Sequence, residues 1–129
     1  MDHVYVRYFV TDAERSTRFY REKLGFEVVM NPNPGFSLLE RGPLRLMLNA
    51  SGGRGAGQPS NSGETPEPGG WNRFQIRVDN LDAEIARIQE SGGTFYDEVI
   101  ESMGGRQILL TDPDGNLIEL FESRTEPNR

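Results

Sequence analysis

The chain carries one pattern twice. Val10-Thr11-Asp12-Ala13-Glu14 opens a helical stretch that closes at Leu24-Gly25-Phe26. Val78-Asp79-Asn80-Leu81-Asp82 opens a second that closes at Ser91-Gly92-Gly93-Thr94. An alternating strand precedes each helix and short strands follow it. Such a repeat constrains architecture before any single residue does, because each copy must bury the same face against the same kind of neighbour. The expectation is an α+β fold of two tandem βαβββ modules, each with a mixed sheet, and a shared cleft where function is to be sought.

At 129 residues the chain is one domain's worth, and either module alone would be marginal. The repeat places module one at 1–49, a linker at 50–70 and module two at 71–129, with helices near 12–24 and 80–91. Residues 4–10 read as a strand with Val4, Val6, Tyr8 and Val10 on one face and Tyr5, Arg7 and Phe9 on the other. Thr11 or Asp12 can cap the first helix, Phe19, Tyr20 and Leu24 supply its apolar stripe, and Gly25 suits its exit. A strand at 26–30, a turn at 31–35 and a hairpin of 36–40 with 44–49 complete the module. In module two, residues 73–78 alternate, and the helix offers Ala83, Ile85, Ala86 and Ile88. Strands follow at 94–100, 106–111 and 116–122. Asp112-Pro113-Asp114-Gly115 reads as a tight turn, which explains its aspartates more simply than metal or acid–base chemistry.

Residues 50–70 are rich in glycine, proline and serine and read as a linker, with a lid over the cleft as a compatible alternative. Their glycines do not make a phosphate loop, since no Gly-Lys-Ser/Thr follows. A net charge of −6 and a pI near 4.8 argue against nucleic acid as a partner. No apolar run is long enough to span a bilayer, and Met1-Asp2-His3-Val4 does not open a signal peptide. Cysteine is absent, which removes disulfides, thiolate metal sites and a cysteine nucleophile. The expected location is the cytoplasm.

Val6-Arg7-Tyr8-Phe9-Val10-Thr11-Asp12, Arg18-Phe19-Tyr20 and Leu24-Gly25-Phe26 resemble the first half of the vicinal oxygen chelate superfamily. Asp112-Pro113-Asp114-Gly115-Asn116-Leu117-Ile118-Glu119-Leu120 resembles its closing hairpin. That superfamily includes glyoxalase I, bleomycin-resistance proteins and extradiol dioxygenases. The resemblance implies a U-shaped cleft formed by the two sheets and, in the family's enzymes, a divalent metal held there by His, Gln and Glu. The implied ligand positions fall on Tyr5, Arg45, Arg73 and Glu119, of which only Glu119 is a ligand-type residue. A guanidinium has no lone pair to donate and repels a dication. His3, the one histidine, precedes Tyr5 by two residues and would substitute for it only if the strand shifted by two residues.

If those positions face the cleft, strand alternation brings Arg7, Gln75 and Arg77 to it, with Met47, Asn49, Leu117 and Phe121. The opposite faces, with Leu44, Leu46, Leu48, Phe74, Ile76, Val78, Ile118 and Leu120, would pack on the helices. A structural reading pairs Glu119 with Arg45 or Arg73. A functional reading makes the arginines donors to an anionic or carbonyl-bearing planar ligand, with Arg45 and Arg73 converging on its oxygen. Tyr5, Arg7, Met47, Gln75 and Phe121 would then line the rest of the site. Three functions follow in order of preference. The first is a binding protein of the bleomycin-resistance kind, without metal or other cofactor, although the arginines disfavour a cationic glycopeptide as its ligand. The second is a metal-free enzyme with Glu119 as its catalytic general base, a poor base beside arginines. The third is a metal-dependent lyase, isomerase or dioxygenase. A homodimer is expected, with Trp71, Phe95 and Tyr96 as candidate interface aromatics.

Overall fold

The computed structural model describes residues 2–124, so the last part of the expected second module lies outside the described residues. It divides into two compact units. One runs to Gly69 and includes Pro113–Gly115; the other comprises Gly70–Asp112 and the residues from Asn116 onward. Both βαβββ modules expected from the repeat are present.

The first unit has strands β1 (Val4–Val10), β2 (Glu27–Asn33), β3 (Phe36–Arg41) and β4 (Leu44–Ala50), with helix α1 (Ala13–Leu24). The sheet order is β1-β4-β3-β2, with β1 parallel to β4 and the other pairs antiparallel. Asp12 is the helix cap, its carboxylate accepting from the N–H groups of Glu14 and Arg15. Gly25 ends the helix at φ 71°, and Phe26 N–H reaches back to the Tyr20 carbonyl at 3.1 Å. The buried stripe is Ala13, Ser16, Thr17, Tyr20 and Leu24, the three- and four-residue spacing that keeps side chains on one helical face. Phe19, expected in that stripe, lies at its side and is half-buried, its ring edge-on to Tyr20 at 5.1 Å. Thr17 Oγ1 donates to the Ala13 carbonyl at 2.6 Å and lies 2.9 Å from Ser37 Oγ, which satisfies both hydroxyls under the helix. Val10, Tyr20, Leu39, Leu46 and Leu48 form the fully buried core.

The turn expected at 31–35 is shorter. β2 continues through Pro32 to Asn33, and only Pro34 and Gly35 turn. β2 is the edge strand and exposed along its length, and an edge tolerates a proline because one row of N–H groups needs no partner. Its register with β3 shifts twice, between Val28 and Met30 and between Met30 and Asn33.

The start of the expected linker is folded onto this unit. Ser51 N–H donates to the Val10 carbonyl at 2.9 Å and Gly52 N–H to the Gly57 carbonyl at 2.7 Å, around a 3₁₀ turn at Gly55–Gly57. A Cβ on Gly57 would lie 2.1 Å from the Ala50 carbonyl oxygen, so this position requires glycine.

The second unit repeats the design with β5 (Arg73–Arg77), α2 (Leu81–Glu90), β6 (Ile100–Glu101), β7 (Gly105–Thr111) and β8 (Leu117–Ser123). The order is β5-β8-β7-β6, again with the first pair parallel. Asn80 caps α2, and Glu122 Oε1 accepts from Leu81 N–H at 2.7 Å. Of the expected apolar face only Ile88 is fully buried, joined by Leu81; Ala83 and Ala86 are exposed and Ile85 half-buried. The strand expected at 94–100 is reduced to the two residues of β6 and a single bridge from Phe95 to Leu110. Asp97 Oδ1 takes the Glu98 N–H at 2.8 Å, a local bond that competes with ladder pairing. Arg106 on β7 bridges Asp82 of α2 and Glu101 of β6, and its hydrogen bond to Asp82 raises its already high pKa.

The Asp-Pro-Asp-Gly segment divides its labour. Asp112 builds the turn, accepting from Asn116 N and Nδ2, both at 2.9 Å. Asp114 belongs to the first unit. It accepts from Thr11 N at 3.1 Å, Thr11 Oγ1 at 2.6 Å and Arg15 Nη2 at 2.9 Å, and so anchors the start of α1. Turn formation therefore accounts for only one of the two aspartates. Among the described residues no helix is long and apolar enough to cross a membrane.

Candidate functional site

Each module has one sheet face set against its core and one polar face, and the polar faces carry every candidate residue. In module one, parallel pairing puts Tyr5 beside Arg45, Arg7 beside Met47 and Phe9 beside Asn49. Antiparallel pairing adds Glu40 beside Arg45, Leu38 beside Met47 and Phe36 beside Asn49. The alternating partners Leu46 and Leu48 are fully buried, as the strand period requires.

Arg45 is fully engaged. Its Nη2 lies 2.9 Å from Glu40 Oε2 and 3.0 Å from His3 Nε2, and its Nη1 donates to the Gly42 carbonyl at 2.9 Å. Because a guanidinium only donates, the His3 nitrogen facing it is the acceptor, and its lone pair is already used. Glu40 escaped the sequence reading. The signal was present, since a hairpin turning at Gly42-Pro43 sets position 40 opposite position 45. Arg7 is placed differently: its Nη2 lies 3.2 Å from the Met47 thioether, a weak acceptor, and it forms no ion pair among the described residues. Tyr5 is exposed beside this row.

Module two pairs Arg73 with Leu117, Gln75 with Glu119 and Arg77 with Phe121. Glu119 is 7% exposed and both of its oxygens are taken. Arg73 binds Oε1 through Nε at 3.0 Å and Nη2 at 2.9 Å, and Gln75 Nε2 donates to Oε2 at 2.5 Å. Arg77 Nε donates to Gln75 Oε1 at 2.5 Å, and its guanidinium carbon lies 4.7 Å from the centre of the Phe121 ring. Of the two expected partners for Glu119, Arg73 is the one that binds it. Gln75, expected as a lining residue, is the link that passes the carboxylate's charge on to Arg77.

A divalent metal does not fit these donors. Two of the four implied positions are guanidiniums, and both oxygens of the one carboxylate already accept hydrogen bonds from Arg73 and Gln75. Among the described residues no group of three or more His, Asp or Glu side chains could hold a metal ion. Zinc or iron(II) would require several nitrogen or oxygen lone pairs at about 2.0–2.2 Å.

Comparison with known proteins adds a family. The model of the Glyoxalase/Bleomycin resistance protein/Dioxygenase superfamily matches residues 1–120. A bleomycin resistance protein of Klebsiella pneumoniae is 31% identical over 121 residues, covering 87% of this chain and 85% of that one. TnmS3, an antibiotic binding protein from Streptomyces sp. CB03234, superposes with a TM-score of 0.72 at 28% identity, covering 95% of this chain and 97% of the other. A lactoylglutathione lyase from Agrobacterium tumefaciens, at 19% identity and a TM-score of 0.74 over 92% and 91% of the chains, shares the fold.

Proposed function

Because the chain belongs to the Glyoxalase/Bleomycin resistance protein/Dioxygenase superfamily, we propose that it binds a small planar molecule bearing a carboxylate or acidic carbonyl oxygen. In this reading it uses no metal and holds the molecule rather than transforming it. The carrying observation is the difference among its arginines. Arg45 and Arg73 each answer a carboxylate within their own module, whereas among the described residues Arg7 meets only a thioether, on a face that also offers Tyr5 and Met47. A ligand oxygen is the partner that Arg7 lacks. In module two, Gln75 and the Arg77–Phe121 stack offer a planar, polar surface of the same kind.

Two features support holding over catalysis. A general base must reach its substrate proton, and Glu119, 7% exposed, is held by hydrogen bonds from Arg73 and Gln75 that such a proton would have to displace. The relatives named as a bleomycin resistance protein and an antibiotic binding protein also support a binding role. Thermal unfolding of chelator-treated protein tests the reading, with aromatic carboxylates compared against amines of the same ring size. At tenfold excess over Kd a binding acid stabilises by about 1.4 kcal/mol, and this gain is expected to persist without metal and to vanish in Arg7→Ala. Stabilisation by the amines but not the acids would reverse the charge argument.

The same reading takes a homodimer as the working assembly. Trp71 and Tyr96, 67% and 53% exposed, stack edge to face at 5.9 Å and present an aromatic surface for it. Phe95 is half-buried and bridged to Leu110, which leaves it less to offer. Sedimentation at micromolar concentration is expected to give twice the 14.5 kDa chain mass, and a single-chain species would refute the dimer.

A further inference from the structure

Module one contains a cavity of about 270 Å³ where the polar sheet face meets the folded loop at Gly55–Gly57. Arg7, Phe36 and Asn49 line it from the sheet, and Arg54 with Gly55 and Ala56 from the loop. We propose that this cavity is the anion subsite of the protein, taking a single-ring carboxylate with a hydroxyl next to the acid group. The inference rests on the binding role proposed above and adds to it a place and a ligand class.

Three observations meet here. First, the cavity joins two guanidiniums from distant parts of the chain, Arg7 and Arg54, and neither forms an ion pair among the described residues. An anion seated there would be met by two guanidinium donors. Secondly, Asn49 is only 5% exposed, and its Oδ1 is one of two buried side-chain polar atoms without a partner among the described residues. A buried amide oxygen left unpaired is costly, and a ligand hydroxyl can donate to it. Thirdly, the loop that carries Arg54 is held by its own bonds. Gly52 N–H donates to the Gly57 carbonyl and Gly57 N–H to the Arg54 carbonyl, and Gly57 tolerates no side chain. The guanidinium is therefore presented from a set backbone. Phe36 is the aromatic residue of the lining. The volume lies just below the usual range of ligand pockets, about 300–1,000 Å³, and so suits one ring.

Salicylate and benzoate are the probes, titrated calorimetrically against the whole chain. Salicylate is expected to bind at one site per chain and about fivefold or more tighter than benzoate. Arg54→Ala, at an exposed position whose loss spares the fold, is expected to weaken salicylate tenfold or more, as is Arg7→Ala. Asn49→Leu is expected to erase the preference for salicylate and leave benzoate within about twofold, and Asn49→Ser serves if the leucine variant folds poorly. If Arg54→Ala and both Asn49 variants bind salicylate as the unmodified chain does, this subsite is wrong. If salicylate fails to bind while other aromatic acids stabilise the protein, the subsite falls and the broader binding role stands. If no aromatic acid binds, both fall.

Discussion

Arg73→Met is expected to destabilise the protein by about 2–3 kcal/mol, whereas Arg73→Met combined with Glu119→Leu recovers most of that loss. Glu119 is 7% exposed, and among the described residues Arg73 supplies two of its three hydrogen bonds. Removing the arginine leaves a buried carboxylate with the Gln75 amide alone. Breaking a fully buried pair costs about 3–5 kcal/mol; the Arg73 side chain is 28% exposed, so water reaches the gap and the cost is smaller. For a domain of this size the melting temperature should fall by roughly 6–12 °C. The double variant removes the orphaned charge as well, and Leu109, the β7 partner of Glu119, is apolar and can pack against a leucine there. Urea unfolding of the three proteins measures the comparison. A single variant as stable as the unmodified chain would mean that the pair is not structural and that Glu119 is available for chemistry.

Gly105→Ala should cost at least about 3 kcal/mol, while Gly104→Ala next to it should cost about 0.5 kcal/mol or less. A Cβ on Gly105 would lie 2.1 Å from the Glu122 carbonyl oxygen and 2.9 Å from Phe121 Cζ. The first obstacle is the backbone of β8, which cannot move without opening the β7–β8 ladder. A Cβ on Gly104 would meet Phe121 Cζ at 3.8 Å, an ordinary contact. The Gly105 change also pushes on the ring over which Arg77 lies, so aromatic NMR signals of Phe121 should shift together with stability. Equal stability of the two variants would refute this strand pairing.

The repeat was legible because it is written in periods. Alternation at 4–10 and 73–78, a helix cap at Thr11 or Asp12, and Gly25 at a left-handed exit are local signals, and each has its element in the structure, with Asp12 as the cap. The polar and apolar faces of β1, β4, β5 and β8 were legible for the same reason, since side chains alternate whatever the strand packs against. Edges were less legible. β2 keeps Pro32 because it is an edge strand, and residues 94–99 lose most of their pairing where Asp97 takes a neighbouring N–H. Neither outcome can be read without knowing which strand lies outermost.

From sequence alone came the family fold and the two helices, and the reading that only Glu119 of the four implied positions is a ligand-type residue, because residue type decides whether an atom has a lone pair to give. Tertiary structure alone decided how the charges pair. Glu119 takes Arg73 and Gln75, Arg45 takes Glu40, and Asp114, distant in sequence, anchors the first turn of α1. It also brought Arg54, from a segment that reads as a linker, to the same cavity as Arg7 and Asn49. Pattern periods act over a few residues along one element, but a hydrogen bond or ion pair is set by distances of about 3 Å between elements. Those distances exist only once the chain has folded.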